Sequence, residues 1–142
     1  WDDFGSSTLY MKILFADYKK KFAIIELFGE WNDTLHNDIM YFKRKVIDHL
    51  LAEGINQFIL IAENILNFHG SDDEYYAEWF DEVEDGWIAV IGSREHTEQE
   101  WKRYRLDYYL NFGGTLHLDN WRTMQPQPFY ELVNGLIVRR LM

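Results

Sequence analysis

The chain has 142 residues, enough for one compact domain with one core and too few for two ordinary ones. Its formal net charge of −10 excludes the many Lys and Arg contacts that hold a nucleic-acid backbone and disfavours an anionic membrane surface. No apolar run approaches the roughly 20 residues that cross a bilayer. Cysteine is absent, which removes a disulfide framework, a thiolate nucleophile and a Cys-ligated metal. Trp1-Asp2-Asp3-Phe4 lacks the basic and apolar regions of a signal peptide, so a cytoplasmic home is expected. Six Trp, nine Tyr and ten Phe are more rings than a core of this size easily absorbs. Some are expected on the surface, as a contact patch.

Residues 1–10 read as an extension or flexible lead-in, and 11–142 as a single α/β domain. Met11 to Tyr18 and Phe22 to Phe28 read as two strands joined by the Lys19-Lys20-Lys21 turn, hence an antiparallel hairpin. Asp33 or Thr34 can cap a long helix with Leu35, Ile39, Phe42, Val46 and Leu50 on its buried stripe and Lys43, Arg44 and Asp48 opposite. Gly54 ends it. Gln57 to Ala62 is apolar throughout Phe58-Ile59-Leu60-Ile61-Ala62, as suits a strand covered on both faces at the middle of a sheet and parallel to 22–28. A loop follows over Glu63 to Gly70.

Ser71-Asp72-Asp73-Glu74 fits a capping box, in which the Ser71 hydroxyl and the Glu74 carboxylate satisfy each other's backbone N–H groups, so a helix is expected to open at Ser71 and stop at Asp85-Gly86. Its apolar members are Tyr75, Trp79, Phe80 and Val83; Glu78, Asp81, Glu82 and Glu84 lie outward. Trp87 to Ile91 is another apolar strand, and a third helix spans about Glu95 to Leu110, ended by Gly113-Gly114. Thr115 to Leu118 reads as a short fifth strand. After a loop at 120–124, Pro128 suits the first turn of a last helix with Phe129, Leu132, Val133, Leu136 and Ile137 inward. The result is a mixed five-stranded sheet with four helices in the order ββαβαβαβα, with no internal repeat.

That order resembles the SpoIIAA-like fold of anti-sigma-factor antagonists and STAS domains over roughly Met11 to the end. The resemblance implies a non-enzymatic protein-interaction module without a cofactor. It also implies a phosphoacceptor after the central strand, at the start of the next helix. Ser71 holds that position here, preceded by His69-Gly70 rather than by the Asp-Ser-Ser-Gly-like motif of the family.

Other chemistry has little support. The five histidines have no i, i+4 His partner, no His-Glu-x-x-His is present, and Val83 interrupts the oxygens that a calcium loop would need over 81–86. A Ser71–His69 hydrolase lacks a nucleophile elbow, and no glycine-rich phosphate loop exists. Neither catalytic nor metal residues are assigned.

Two leads remain. The acidic run Asp72 to Asp85 offers a docking face for a basic partner, with Asp72, Asp73, Glu78, Asp81 and Glu82 foremost. Trp79, Trp101, Tyr104, Tyr108, Tyr109 and Trp121, with Trp79, Trp101 and Tyr108 foremost, supply rings that anchor a partner or, alternatively, wall a pocket for a small apolar ligand. A protein partner is expected first. Intramolecular pairing of the acidic patch with the basic one on the third helix, or head-to-tail association of two copies through them, is the alternative.

Overall fold

The computed structural model describes residues 3–141. Four strands form one mixed sheet in the order β1-β2-β3-β4, with β1 Leu9–Asp17, β2 Phe22–Asn32, β3 Gln57–His69 and β4 Trp87–Ile91. β1 and β2 form the expected antiparallel hairpin, and β3 runs parallel to both β2 and β4. Phe58 to Ala62 is fully buried with a strand on each side, because an all-apolar strand is stable only where both faces are covered.

Helix α1 covers 38–52 in three continuous pieces: α-helical Asp38–Phe42, a π-helical turn Lys43–Ile47, and α-helical Asp48–Ala52. Helix α2 is Glu74–Val83, α3 is Glu95–Arg103 and α4 is Pro126–Leu141. One sheet face is buried under α1, α2 and α3 through Phe42, Val46, Trp79 and Trp101, against Ala23, Ile25, Phe58 and Leu60. The other is covered by α4 and the segment before it, where Trp121, Phe129, Tyr130, Val133 and Ile137 meet Phe22, Ile24, Ile59 and Ile61. No helix among the described residues is long and apolar enough to cross a membrane.

Several boundaries differ from expectation. The sheet has four strands, not five. Thr115 lies in a 3-10 turn, Gly114–Leu116, which forms no ladder. On the side of β4 away from β3 the bridge among the described residues is to Asn111, whose N–H donates to the Ile88 carbonyl and whose carbonyl accepts from Val90 N–H, while Leu116 accepts from Gly92 N–H just past the strand. The loop expected over 63–70 is strand as far as His69, because β2 also continues to Asn32 and the two extend together with shifts of register beside Phe28 and Gly29. These bulges break the two-residue alternation that would have revealed the strand.

The third helix stops at Arg103, since Arg105 takes a left-handed conformation (φ 62°) and Leu106–Tyr108 winds as 3-10. The first helix starts at Asp38, leaving Leu35 exposed in the preceding turn rather than in the buried stripe. Lys43, expected on the outer face, is fully buried, being four residues from both Ile39 and Ile47 on the inward side. In the last helix the inward set is Phe129, Tyr130, Val133 and Ile137, while Leu132 is exposed.

The segment 1–10 was expected as a lead-in. Trp1 and Asp2 lie outside the described residues. Phe4 is buried beside the Phe42 ring, the Ser6 hydroxyl accepts from Leu9 N–H at 2.9 Å, and β1 begins at Leu9.

Two glycines give a direct check of the packing. A Cβ on Gly86 would stand 1.7 Å from the Asn56 carbonyl oxygen, whereas one on Gly135 in α4 would meet nothing within 4 Å. Gly86→Ala is therefore expected to lose roughly 1–3 kcal/mol of unfolding free energy, and Gly135→Ala to gain roughly 0.5–1 kcal/mol by helix propensity. Urea denaturation of the two variants reads both signs.

Candidate functional site

The acidic helix α2 divides along its length into a tied side and an open side. On the tied side, Glu78 and Glu82 turn toward α1. The Lys43 ammonium donates to Glu78 Oε2 and Glu82 Oε1 at 2.7 Å each and to Asp48 Oδ1, while Arg44 donates to both oxygens of Glu78, at 2.6 and 2.9 Å, and to Asp48 Oδ2 at 2.9 Å. Asp48, Glu78 and Glu82 hold their oxygens within 4.8 Å of one another, a spacing that suits a metal ion, and Lys43 places its own cation among them.

Burial pulls the Lys43 pKa down, but its three carboxylate partners outweigh that and the net shift is upward. The Arg44 and Lys43 hydrogen bonds lower Glu78 to about 2. Glu78 and Glu82, expected as docking acids, are therefore already paired within the chain. The sequence signal was present in the i, i+4 pair Arg44–Asp48, but the partnership with α2 depends on tertiary packing.

On the open side, Asp73 Oδ2 accepts from the Tyr109 hydroxyl at 2.8 Å, and this bond, with burial and the nearby Asp73 and Asp81 charges, raises the Tyr109 phenol. Tyr109 stands with Tyr108 and Phe80 in a three-ring cluster whose centroids are 5.1 to 5.6 Å apart. Tyr108 is 73% exposed. Asp73, Asp107 and Arg105 line the concavity beside these tyrosines. Asp72 and Asp81 are exposed, and Asp72 Oδ1 accepts from Glu74 N–H at 3.1 Å.

Trp79 and Trp101, expected as anchors or pocket walls, are fully buried core side chains. Trp79 meets the Phe42 and Phe58 rings edge-on, and Trp101 packs against Phe68 and Phe112. A pocket lined jointly by Trp79, Trp101 and Tyr108 is therefore not formed: two of its walls are interior and the third is on the surface. Tyr109, expected in the wider set of rings, and Phe80, expected among the inward members of α2 but 38% exposed, take their place. The three-residue spacing from Ala77 to Phe80 to Val83 was the available signal for Phe80, but nothing local foretold that the chain would turn at Arg105 and bring Tyr108 and Tyr109 back over it.

Ser71 is exposed and lies ahead of the helix, whose N-cap is Asp73 without a side-chain cap bond, so the expected Ser71–Glu74 capping box is not made. Beside it, Gly70 is pressed against the Tyr104 ring, and its carbonyl accepts from the Thr34 hydroxyl. His69, His96, Arg103 and Glu100 line an open polar cleft at the ends of β2 and β3, with His96 Nε2 2.7 Å from the Leu66 carbonyl oxygen. Elsewhere Glu98 Oε2 lies between the Ser93 hydroxyl and His117 Nε2, the latter at 3.0 Å. With the acid in the middle, His117 has no bond to Ser93 and does not serve as its base.

The buried polar cluster joins the end of β2 to the helices. Asp33 accepts from Trp31 Nε1 at 2.9 Å, Ile39 N–H at 2.8 Å and the Tyr76 hydroxyl at 2.6 Å. Asp33 thus does cap the first helix, though from across the turn rather than from the position next to it. Burial lifts its carboxyl to about 6 in spite of these donors, with the neighbouring Asp38 adding to the rise.

No protein-family model matches the chain, and no curated protein matches it. Among solved structures it is similar to a Thermotoga maritima protein described as a candidate anti-sigma factor antagonist, with 18% identity and a TM-score of 0.50, over 74% of this chain and 86% of that one. The likeness shows a shared fold: the SpoIIAA/STAS-like arrangement of a mixed sheet and four helices.

Asp33 gives a pH test. Its ordinary pKa is 3.8 and the folded value is about 6, so between those limits the folded chain keeps a proton that the unfolded chain has released. Stability should fall by roughly 3 kcal/mol as pH rises through that window and then level off. Equilibrium unfolding at stepped pH should show this drop, and Asp33→Asn should lack it. For the tied acids, Lys43→Met is expected to cost roughly 2–4 kcal/mol by leaving three carboxylates together. Millimolar calcium should raise the melting temperature of that variant and leave the wild type unmoved, since the native ammonium already fills the position.

Proposed function

We propose that the protein is a non-enzymatic protein-interaction module of SpoIIAA/STAS-like type that docks a partner through the open side of α2 and the rings beside it. The observation that carries this reading is the surface cluster of exposed Phe80 and Tyr108 with half-buried Tyr109, bordered by Asp73, Asp107 and Arg105 and with the Asp81 charge nearby. Rings with a polar tip supply contact area at little conformational cost. Carboxylates around them draw a basic partner and speed its encounter. Asp72 extends the same charge toward Ser71. Glu78 and Glu82 serve the reading indirectly, by fixing α2 on α1.

The described role of the structural relative, an anti-sigma factor antagonist, is in keeping with a regulator that works by binding. Phosphorylation at Ser71 belongs to this reading as a modulator: it would add close to two negative charges beside Asp72 and Asp73 and so strengthen the attraction for a basic surface. A cytoplasmic location goes with it.

Affinity capture from native extract tests the proposal. A specific partner should be retained at low salt and released as ionic strength rises. Asp81→Lys with Asp107→Lys, or Tyr108→Ser alone, should reduce capture about tenfold or more while leaving the thermal melt unchanged. Capture indifferent to salt and to all three substitutions would count against it.

A further inference from the structure

Among the described residues the sheet is longer than the helices and loops that cover it. β4 pairs with β3 only as far as Ile61↔Ile91, while β2 and β3 continue paired to Asn32↔His69. On the side of α4, the covered part ends with Ile24 and Ile61. Beyond it the overhanging strands carry Tyr10, Phe28 and Leu66, which are 37%, 41% and 43% exposed. Tyr10 and Phe28 are direct cross-strand partners, and Leu66 stands on β3 between the residues paired with Gly29 and Glu30.

The polar residues of this face are balanced in charge. Lys12 is paired across the strands with Glu26. Glu26 Oε2 accepts from Arg122 at 2.8 Å and from Asn64 at 3.3 Å, and Glu30 accepts from Asn67 at 3.2 Å. Arg122 also stands 3.6 Å from Glu63 Oε1, and Arg94 donates to the Glu63 carbonyl at 3.2 Å. Lys12, Arg94 and Arg122 thus accompany Glu26, Glu30 and Glu63 here, in a chain whose net charge is −10.

We propose that this overhanging face is the contact between two copies of the chain, packed sheet to sheet about a two-fold axis. Charge selects the occupant. A basic partner gains little from a face that is already neutral, whereas a second copy, repelled by most of an acidic surface, meets no net repulsion here. Rings and a leucine set among paired polar groups are self-complementary, as an isologous interface requires. The acidic patch around Tyr108 would set like charges against each other in the same arrangement. This dimer leaves that patch open, so the two surfaces act independently.

Sedimentation equilibrium of the whole chain over a concentration series is the test. The mass should move from 17.2 kDa toward twice that value. Raising NaCl from about 0.05 M to about 0.5 M should tighten the association, because salt screens the overall repulsion. Leu66→Ser and Tyr10→Ser, each checked by thermal melting, should weaken it about tenfold or more, and Tyr108→Ser should leave it unchanged. A monomer mass at every concentration would overturn the proposal. So would a dimer that both Leu66→Ser and Tyr10→Ser leave intact, or one that salt dissolves and Tyr108→Ser abolishes.

Discussion

The parallel pairing of β2 with β3 is the constraint on which the rest of the molecule depends. It runs from Phe22↔Gln57 to Asn32↔His69 and absorbs two changes of register on the way. Its first half is an ordinary buried sheet, covered on both faces. The second half carries the chain beyond β4 and sets Trp31, Phe68 and Asp33 at the level of the helix ends. Only because β2 reaches that far can Asp33 accept from Ile39 and Tyr76 together and so join β2, α1 and α2 at one point. Burial of that carboxylate is costly, and three donors offset the cost.

The same geometry explains what could be read from the sequence. The apolar run of 58–62, the hairpin at the lysine turn and the parallel return after a helix rest on local patterns, and all three are present. What the sequence concealed lies where two segments settle each other's conformation. Residues 63–69 alternate poorly because of bulges that exist only in the paired state. Thr115 to Leu118 has the composition of a strand, but Asn111 takes the hydrogen bonds of β4 that such a strand would need.

The site was legible in outline and misread in detail for a related reason. Its acids and aromatics were found by composition, yet composition does not separate a free carboxylate from one already neutralised. Glu78 and Glu82 are held by Lys43 and Arg44 from a different helix, while Asp81, one turn away, is exposed. Trp79 and Trp101 looked like anchors because tryptophan so often is one, but a core built around Trp31, Phe42, Phe58 and Phe68 needed them. Tyr108 and Tyr109 come to the outer side of α2 because the chain turns at Arg105, and Phe80 meets them there from the helix itself.

β1 is the rim strand of the sheet, and its register against β2 slips between Ile13 and Phe15. An incoming strand in search of an uninterrupted row of backbone groups would meet Leu14 bulged out of line halfway along. Such irregular rims resist the stepwise templating by which flat strands recruit their neighbours into filaments. Exposed rings on such a sheet are thereby kept from open-ended growth by strand addition along this rim.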